Sequence, residues 1–145
     1  MNEIIKTDNI QNRIFTFRNV QVMIDKDLAE LYGVETKVLN QAVKRNLNRF
    51  PEIFRFQLAD NEKNKLVTNC DRFKKLKHSS VNPYAFTEQG VAMLSAVLRS
   101  DTAVKVSIQI MQAFVEMKKF ISTNADIFFR LDTIEKRQIG YQIET

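Results

Sequence analysis

Cysteine and histidine occur once each in the 145 residues, as Cys70 and His78, and tryptophan is missing. A single cysteine excludes an intrachain disulfide and suits a reducing, cytoplasmic compartment. One cysteine and one histidine fall short of the four ligands of a usual zinc site, so no metal or other cofactor is expected. Glycine (three) and proline (two) are too scarce for a long flexible linker, and no Gly-rich phosphate loop is present. No apolar run approaches membrane-spanning length, and Met1-Asn-Glu opens no cleavable signal, which predicts a soluble protein without a membrane partner. Glu88, Asp101, Glu116 and Asp132 are scattered rather than paired at a metal-binding spacing, and His78 sits in a polar, basic stretch. The chain therefore reads as a protein other than an enzyme.

What the chain does have is an uneven distribution of positive charge. The net charge is +5, with a pI near 9.4. Eleven basic and four acidic residues fall between Lys37 and Lys77, a net of +7 that leaves −2 for the remainder. A basic surplus confined to one segment is the electrostatic footprint of a nucleic-acid partner, although a solvated surface would also carry it.

The segment begins within a helix-turn-helix pattern. Asp27 to Tyr32 predicts a short helix, entered through Asp25, and Gly33 supplies the left-handed residue that often ends one. Thr36 is read as the cap of a second helix from Lys37 to about Leu47. Ala29 is small enough to let the two helices approach. Val38, Leu39, Ala42, Val43 and Leu47 form the apolar stripe of the second helix. Its other face carries Lys37, Asn40, Gln41, Lys44, Arg45 and Asn48, with no acidic residue among them. Basic side chains can neutralise phosphates or donate to guanine, and Asn and Gln can bond adenine bidentately. The same pattern also describes an ordinary amphipathic helix with a solvated face.

Around this pattern the chain alternates strands and helices. Met1 to Asn12 reads as frayed. Ile14-Phe-Thr-Phe17 and Val20-Gln-Val-Met23 predict a hairpin turning at Arg18-Asn19. Ile53 to Leu58 predicts a strand with Arg55 and Gln57 on its outer face, serving either as a wing or as a core strand. Asp60 is placed as the cap of a helix running to about Asn69, with Glu62 near its positive end. Asp71 to Asn82 has little periodicity and reads as a mobile loop or broad hairpin. Its Arg72, Lys74, Lys75 and Lys77 form a candidate phosphate-contacting arm. Pro83 to Phe86 predicts a strand, and Thr87 the cap of a helix bearing Val91, Leu94, Val97 and Leu98. Gly90 within it points to close packing. A long helix is expected from Ser100-Asp101 to about Ile121. Its apolar arc is wide enough to pack against two elements, or against one element and a partner chain. Beyond it, Ile127, Leu131, Ile134, Gln138 and Tyr141 are spaced as in a short coiled-coil seam. The expected fold is α+β: a small β-hairpin or sheet with a helix-turn-helix, then a helical C-terminal half.

The chain resembles the phage KilA-N-like DNA-binding domain, in the branch named for the N-terminal domain of phage open reading frame six. Asp27-Leu-Ala-Glu-Leu-Tyr-Gly-Val34 carries one part of the likeness. Pro83-Tyr-Ala-Phe-Thr-Glu-Gln-Gly-Val-Ala-Met-Leu-Ser-Ala-Val-Leu98 carries a more specific part, together with Ala103-Val104, Ile108 to Phe114, Arg49-Phe-Pro51 and Phe54-Arg-Phe56. On this basis residues 1–121 form the domain and residues 122–145 a C-terminal helix. The resemblance implies a DNA-binding transcriptional regulator of a phage, prophage or mobile element. The alternative is an antirepressor-type module that binds a repressor protein. Double-stranded DNA is the expected partner, with residues 37–47 as the recognition helix. A homodimer would form through helix 102–121 and the C-terminal helix.

Overall fold

The computed structural model describes residues 7–125. In chain order they form α1 (Thr7–Gln11), β1 (Phe15–Phe17), β2 (Val20–Ile24), α2 (Asp25–Tyr32), α3 (Thr36–Lys44), a 3-10 turn (Leu47–Arg49), β3 (Arg55–Gln57), α4 (Asp60–Asn69), a longer 3-10 helix (Asp71–His78), β4 (Tyr84–Phe86), α5 (Glu88–Leu98) and α6 (Asp101–Thr123). The fold is α+β, as expected. The four strands make one antiparallel sheet in the order β1-β2-β4-β3, and the C-terminal half is helical. Part of the segment read as frayed is ordered: α1 carries Ile10 into full burial.

The hairpin turns where the sequence placed it. Arg18 (φ 55°) and Asn19 (φ 64°) both adopt the left-handed conformation that a two-residue hairpin turn requires. Asparagine tolerates that region, whereas arginine pays a steric cost. The Arg18 side chain is held in compensation. Its guanidinium donates to both Glu62 carboxylate oxygens (3.1 and 3.0 Å) and to the Gln57 carbonyl (3.2 Å), and lies 4.2 Å from the centre of the Phe56 ring.

Strand register sorts the core onto two faces. Ile24 faces Ala85, and Ala85 faces Phe56. These three pack with Val22, Leu58, Leu66 of α4 and Phe73 of the longer 3-10 helix. Met23 and Arg55 both face Phe86 and therefore point to the opposite side. On that side Phe50 meets Phe86 edge-on, with ring centres 6.0 Å apart.

Residues 71–78 correct the expected loop or hairpin. They form a 3-10 helix, whose three-residue period puts Phe73 and Leu76 on one side. Phe73 is completely buried, and this offsets the poor hydrogen-bond geometry of such a helix. α4 starts after Ala59 rather than at a cap by Asp60. Glu62 reaches back to accept the Ala59 N–H at 2.8 Å, and Asp60 accepts from the Asn82 amide at 2.8 Å.

Thr87 caps α5 as expected. Its hydroxyl accepts the Gly90 N–H and donates to the Phe54 carbonyl, which also receives the Thr87 N–H at 2.9 Å. A Cβ on Gly90 would collide with that same carbonyl oxygen, so the close packing expected there is real. α6 buries Ala103, Val106, Ser107, Ile110, Ala113 and Phe114. Ser107 bonds the Tyr32 hydroxyl at 2.6 Å, and burial pushes the Tyr32 phenol up to about 12. Val104 and Ile108 on the same helix stay exposed. The chain divides into compact units at Phe114 and Val115. The seam at Ile127 to Tyr141 lies outside the described residues.

Candidate nucleic-acid interface

α2 and α3 are joined by Gly33, Val34 and Glu35. Gly33 (φ 72°) is left-handed, its N–H bonds Glu30 O, and the Val34 N–H bonds Ala29 O. This pair of bonds satisfies carbonyls that the end of α2 would otherwise leave open. Ala29 is buried beneath the joint. Thr36 is the first residue of α3 rather than its cap; Glu35 holds the cap position, with no side-chain hydrogen bond.

α3 is shorter than expected. It ends at Lys44, and the chain turns through Arg45 and Asn46 into the 3-10 turn at Leu47. Asn46 donates to the Ala42 carbonyl at 2.8 Å across that end. The stripe is accordingly narrower. Leu39 and Val43 are fully buried, whereas Val38 is 46% exposed and Leu47 54%. Leu47 leaves the stripe because the helical period is broken before it.

The polar set divides. Lys37, Gln41, Lys44 and Arg45 are exposed on one face, and Asn48 is exposed on the turn that follows. Asn40 is half-buried and turned aside, donating to Asp25 Oδ2 at 2.9 Å. Asp25 Oδ1 accepts the Lys26 N–H at 2.8 Å. Burial raises the Asp25 carboxyl above its usual range, against the lowering effect of the Asn40 bond. Arg55 belongs to the same neighbourhood. Its guanidinium stacks 3.7 Å from the Tyr84 ring centre and 5.8 Å from that of Phe86, and burial lowers its pKa. Asn40 Oδ1 and Arg55 Nε are both buried without a hydrogen-bond partner.

The Arg72 to Lys77 set also divides. Arg72 grips buried Asp27 with two bonds, Nε to Oδ1 at 3.0 Å and Nη2 to Oδ2 at 2.9 Å. Arg13 adds a third at 3.3 Å and reaches Glu30 at 3.0 Å. Arg72 Nη1 donates to Cys70 Sγ at 3.0 Å, so all three of its nitrogens bond within the protein. These bonds raise the Arg72 pKa, the Asp27 hydrogen bond most strongly. Lys74 pairs with exposed Asp71 at 3.2 Å, and Lys75 and Lys77 face solvent. Lys26 donates to the Arg72 carbonyl at 2.9 Å. It ties the start of the basic 3-10 helix to the start of α2.

The geometry thus keeps Lys37, Gln41, Lys44 and Arg45 together. It draws Asn40, Arg55 and Arg72 into internal contacts. Lys74, Lys75 and Lys77 belong to an element packed on the other face of the sheet. The buried partners Asp25 and Asp27 have one sequence signal: two carboxylates at a helix start, flanked by the apolar Ile24 and Leu28. Among the described residues, no helix is long and apolar enough to cross a membrane. The model of one protein family, the ORF6N domain, matches residues 12–97. No curated protein and no solved structure matches.

Proposed function

We propose that this chain, which belongs to the ORF6N-domain family, is a DNA-binding transcriptional regulator of phage or mobile-element type. One observation carries the reading. α3 stands on buried Leu39 and Val43 and presents Lys37, Gln41, Lys44 and Arg45 outward, with no carboxylate among them. α2 and α3 act as a helix-turn-helix, with α3 in the major groove. Lys75 and Lys77 add attraction to phosphates and carry no base information. The reading assigns the protein no catalytic step.

Fluorescence anisotropy at several salt concentrations tests it, with a random duplex and a duplex selected from a random pool. Gln41→Ala and Arg45→Ala are expected to weaken the selected duplex by about 1–3 kcal/mol and the random one less. Lys75→Ala is expected to weaken both alike and to reduce the salt slope by about one. Equal losses on both duplexes for all three variants would end the base-reading assignment. Supercoiled plasmid with magnesium would expose nuclease activity as nicking.

A second reading rests on α6, where Val104, Ile108 and Met111 follow a 4-3 spacing and the first two are exposed. An apolar line of this kind suits a helix partner. The partner is either a second copy of the chain or, in an antirepressor, a repressor protein. Salt-insensitive capture of a repressor without DNA binding would favour the antirepressor.

A further inference from the structure

Val38 breaks the pattern of its helix. An exposed helical position favours a straight-chain residue, because a β-branched side chain has fewer rotamers there. Yet Val38 is 46% exposed, in the first turn of α3, between Lys37 and fully buried Leu39. Successive helical residues turn by about 100°. With Leu39 and Val43 marking the buried pole, Gln41 stands at the opposite crest. Val38 and Arg45 then line one flank, and Lys37 and Lys44 the other. Asn40, the nearest amide besides Gln41, is committed to Asp25 at 2.9 Å. The exposed face of α3 therefore offers one amide, three cations and one pair of bare methyl groups.

Base edges in the major groove present donors and acceptors, with one apolar group among them: the 5-methyl of thymine. The N-terminal residues of a recognition helix are those that reach base edges. Resting on the DNA-binding reading above, we propose that Val38 is a specificity-determining residue. Its methyl groups pack on a thymine 5-methyl, beside the adenine that the Gln41 amide bonds through N6 and N7. The target contains an A·T-rich step at this contact, and Asn40 positions α3 through Asp25 without touching a base.

The test replaces thymine by deoxyuridine, which removes the methyl group and keeps the base pair. A duplex is selected from a random pool with the full chain, and each thymine is then replaced in turn. For the natural chain, one or two replacements are expected to weaken binding about threefold to fivefold, the worth of one buried methyl. In Val38→Ala those same replacements are expected to have almost no effect. Circular dichroism checks that this exposed substitution leaves the helices formed. If no thymine responds, or if Val38→Ala keeps the full response, the inference falls while the DNA-binding reading stands. If selection yields no duplex bound above random, both fall.

Discussion

Gly90 and Glu62 show how single residues hold the fold. Alanine is the better helix former, by roughly 1 kcal/mol. At position 90 the added Cβ would strike the Phe54 carbonyl, which already serves two Thr87 donors. Gly90→Ala is therefore expected to destabilise the protein by about 1–3 kcal/mol in urea unfolding; a stabilised variant would show that the turn at Phe54, just before β3, yields. Glu62 is held below its usual range, chiefly by the Arg18 hydrogen bond. A folded pKa below the unfolded value, about 4.3, means that the stabilisation is full above that value. It is lost as pH falls through the folded pKa. Glu62→Gln should cost about 0.5–1 kcal/mol near pH 7, since Arg18 is partly exposed. The gap between the two proteins should close in acid. A gap that persists at low pH would assign the effect to the Ala59 bond instead.

Elements differ in how openly their sequences declare them. The hairpin, α5 and α6 were legible because period and turn chemistry agree there. Arg18-Asn19 closes a two-residue turn, Thr87 caps, and Ser100 Oγ accepts the Ala103 N–H at 3.0 Å. The 3-10 helix at Asp71–His78 was not legible. Its three-residue period is carried by only Phe73 and Leu76, and six polar or charged residues surround them in a segment that looks like a loop. Phe73 is nonetheless a central core residue. Phe73→Ala should cost about 3–5 kcal/mol in urea unfolding. A loss below 1 kcal/mol would mean that the helix can dissociate from the sheet with little penalty. α3 illustrates the opposite error. Its apolar pattern ran on to Leu47, but the helix stops at Lys44, where Asn46 turns back onto Ala42.

At the scale of the whole molecule, the sheet partitions the positive charge. The segment from Lys37 to Lys77 carries a net +7, yet α3 lies with α2 and α5, whereas the basic 3-10 helix covers the face of Val22, Ile24 and Phe56. Contiguity in sequence suggested a single footprint, and tertiary structure divides it. The homodimer proposed for α6 is also a property at this scale. Ile108→Lys is expected to reduce the solution mass to that of one chain, measured by sedimentation; a natural chain that is already monomeric would remove the proposal.

The sequence by itself determined the α+β class, the hairpin turn, the α2–α3 joint at Gly33, the Thr87 cap and the family. These features follow from local chemistry: left-handed turn residues, capping oxygens and short-range periodicity. The tertiary structure alone decided which polar side chains remain available. Asn40, Arg55 and Arg72 carry the same chemistry in sequence as Gln41, Arg45 and Lys75. Each is committed by a group far along the chain: Asp25, 15 residues from Asn40; Tyr84, from β4 beside Arg55; and Asp27, 45 residues from Arg72. A buried carboxylate needs donors and a buried ring attracts a guanidinium. Only the folded chain reveals which donor each one takes.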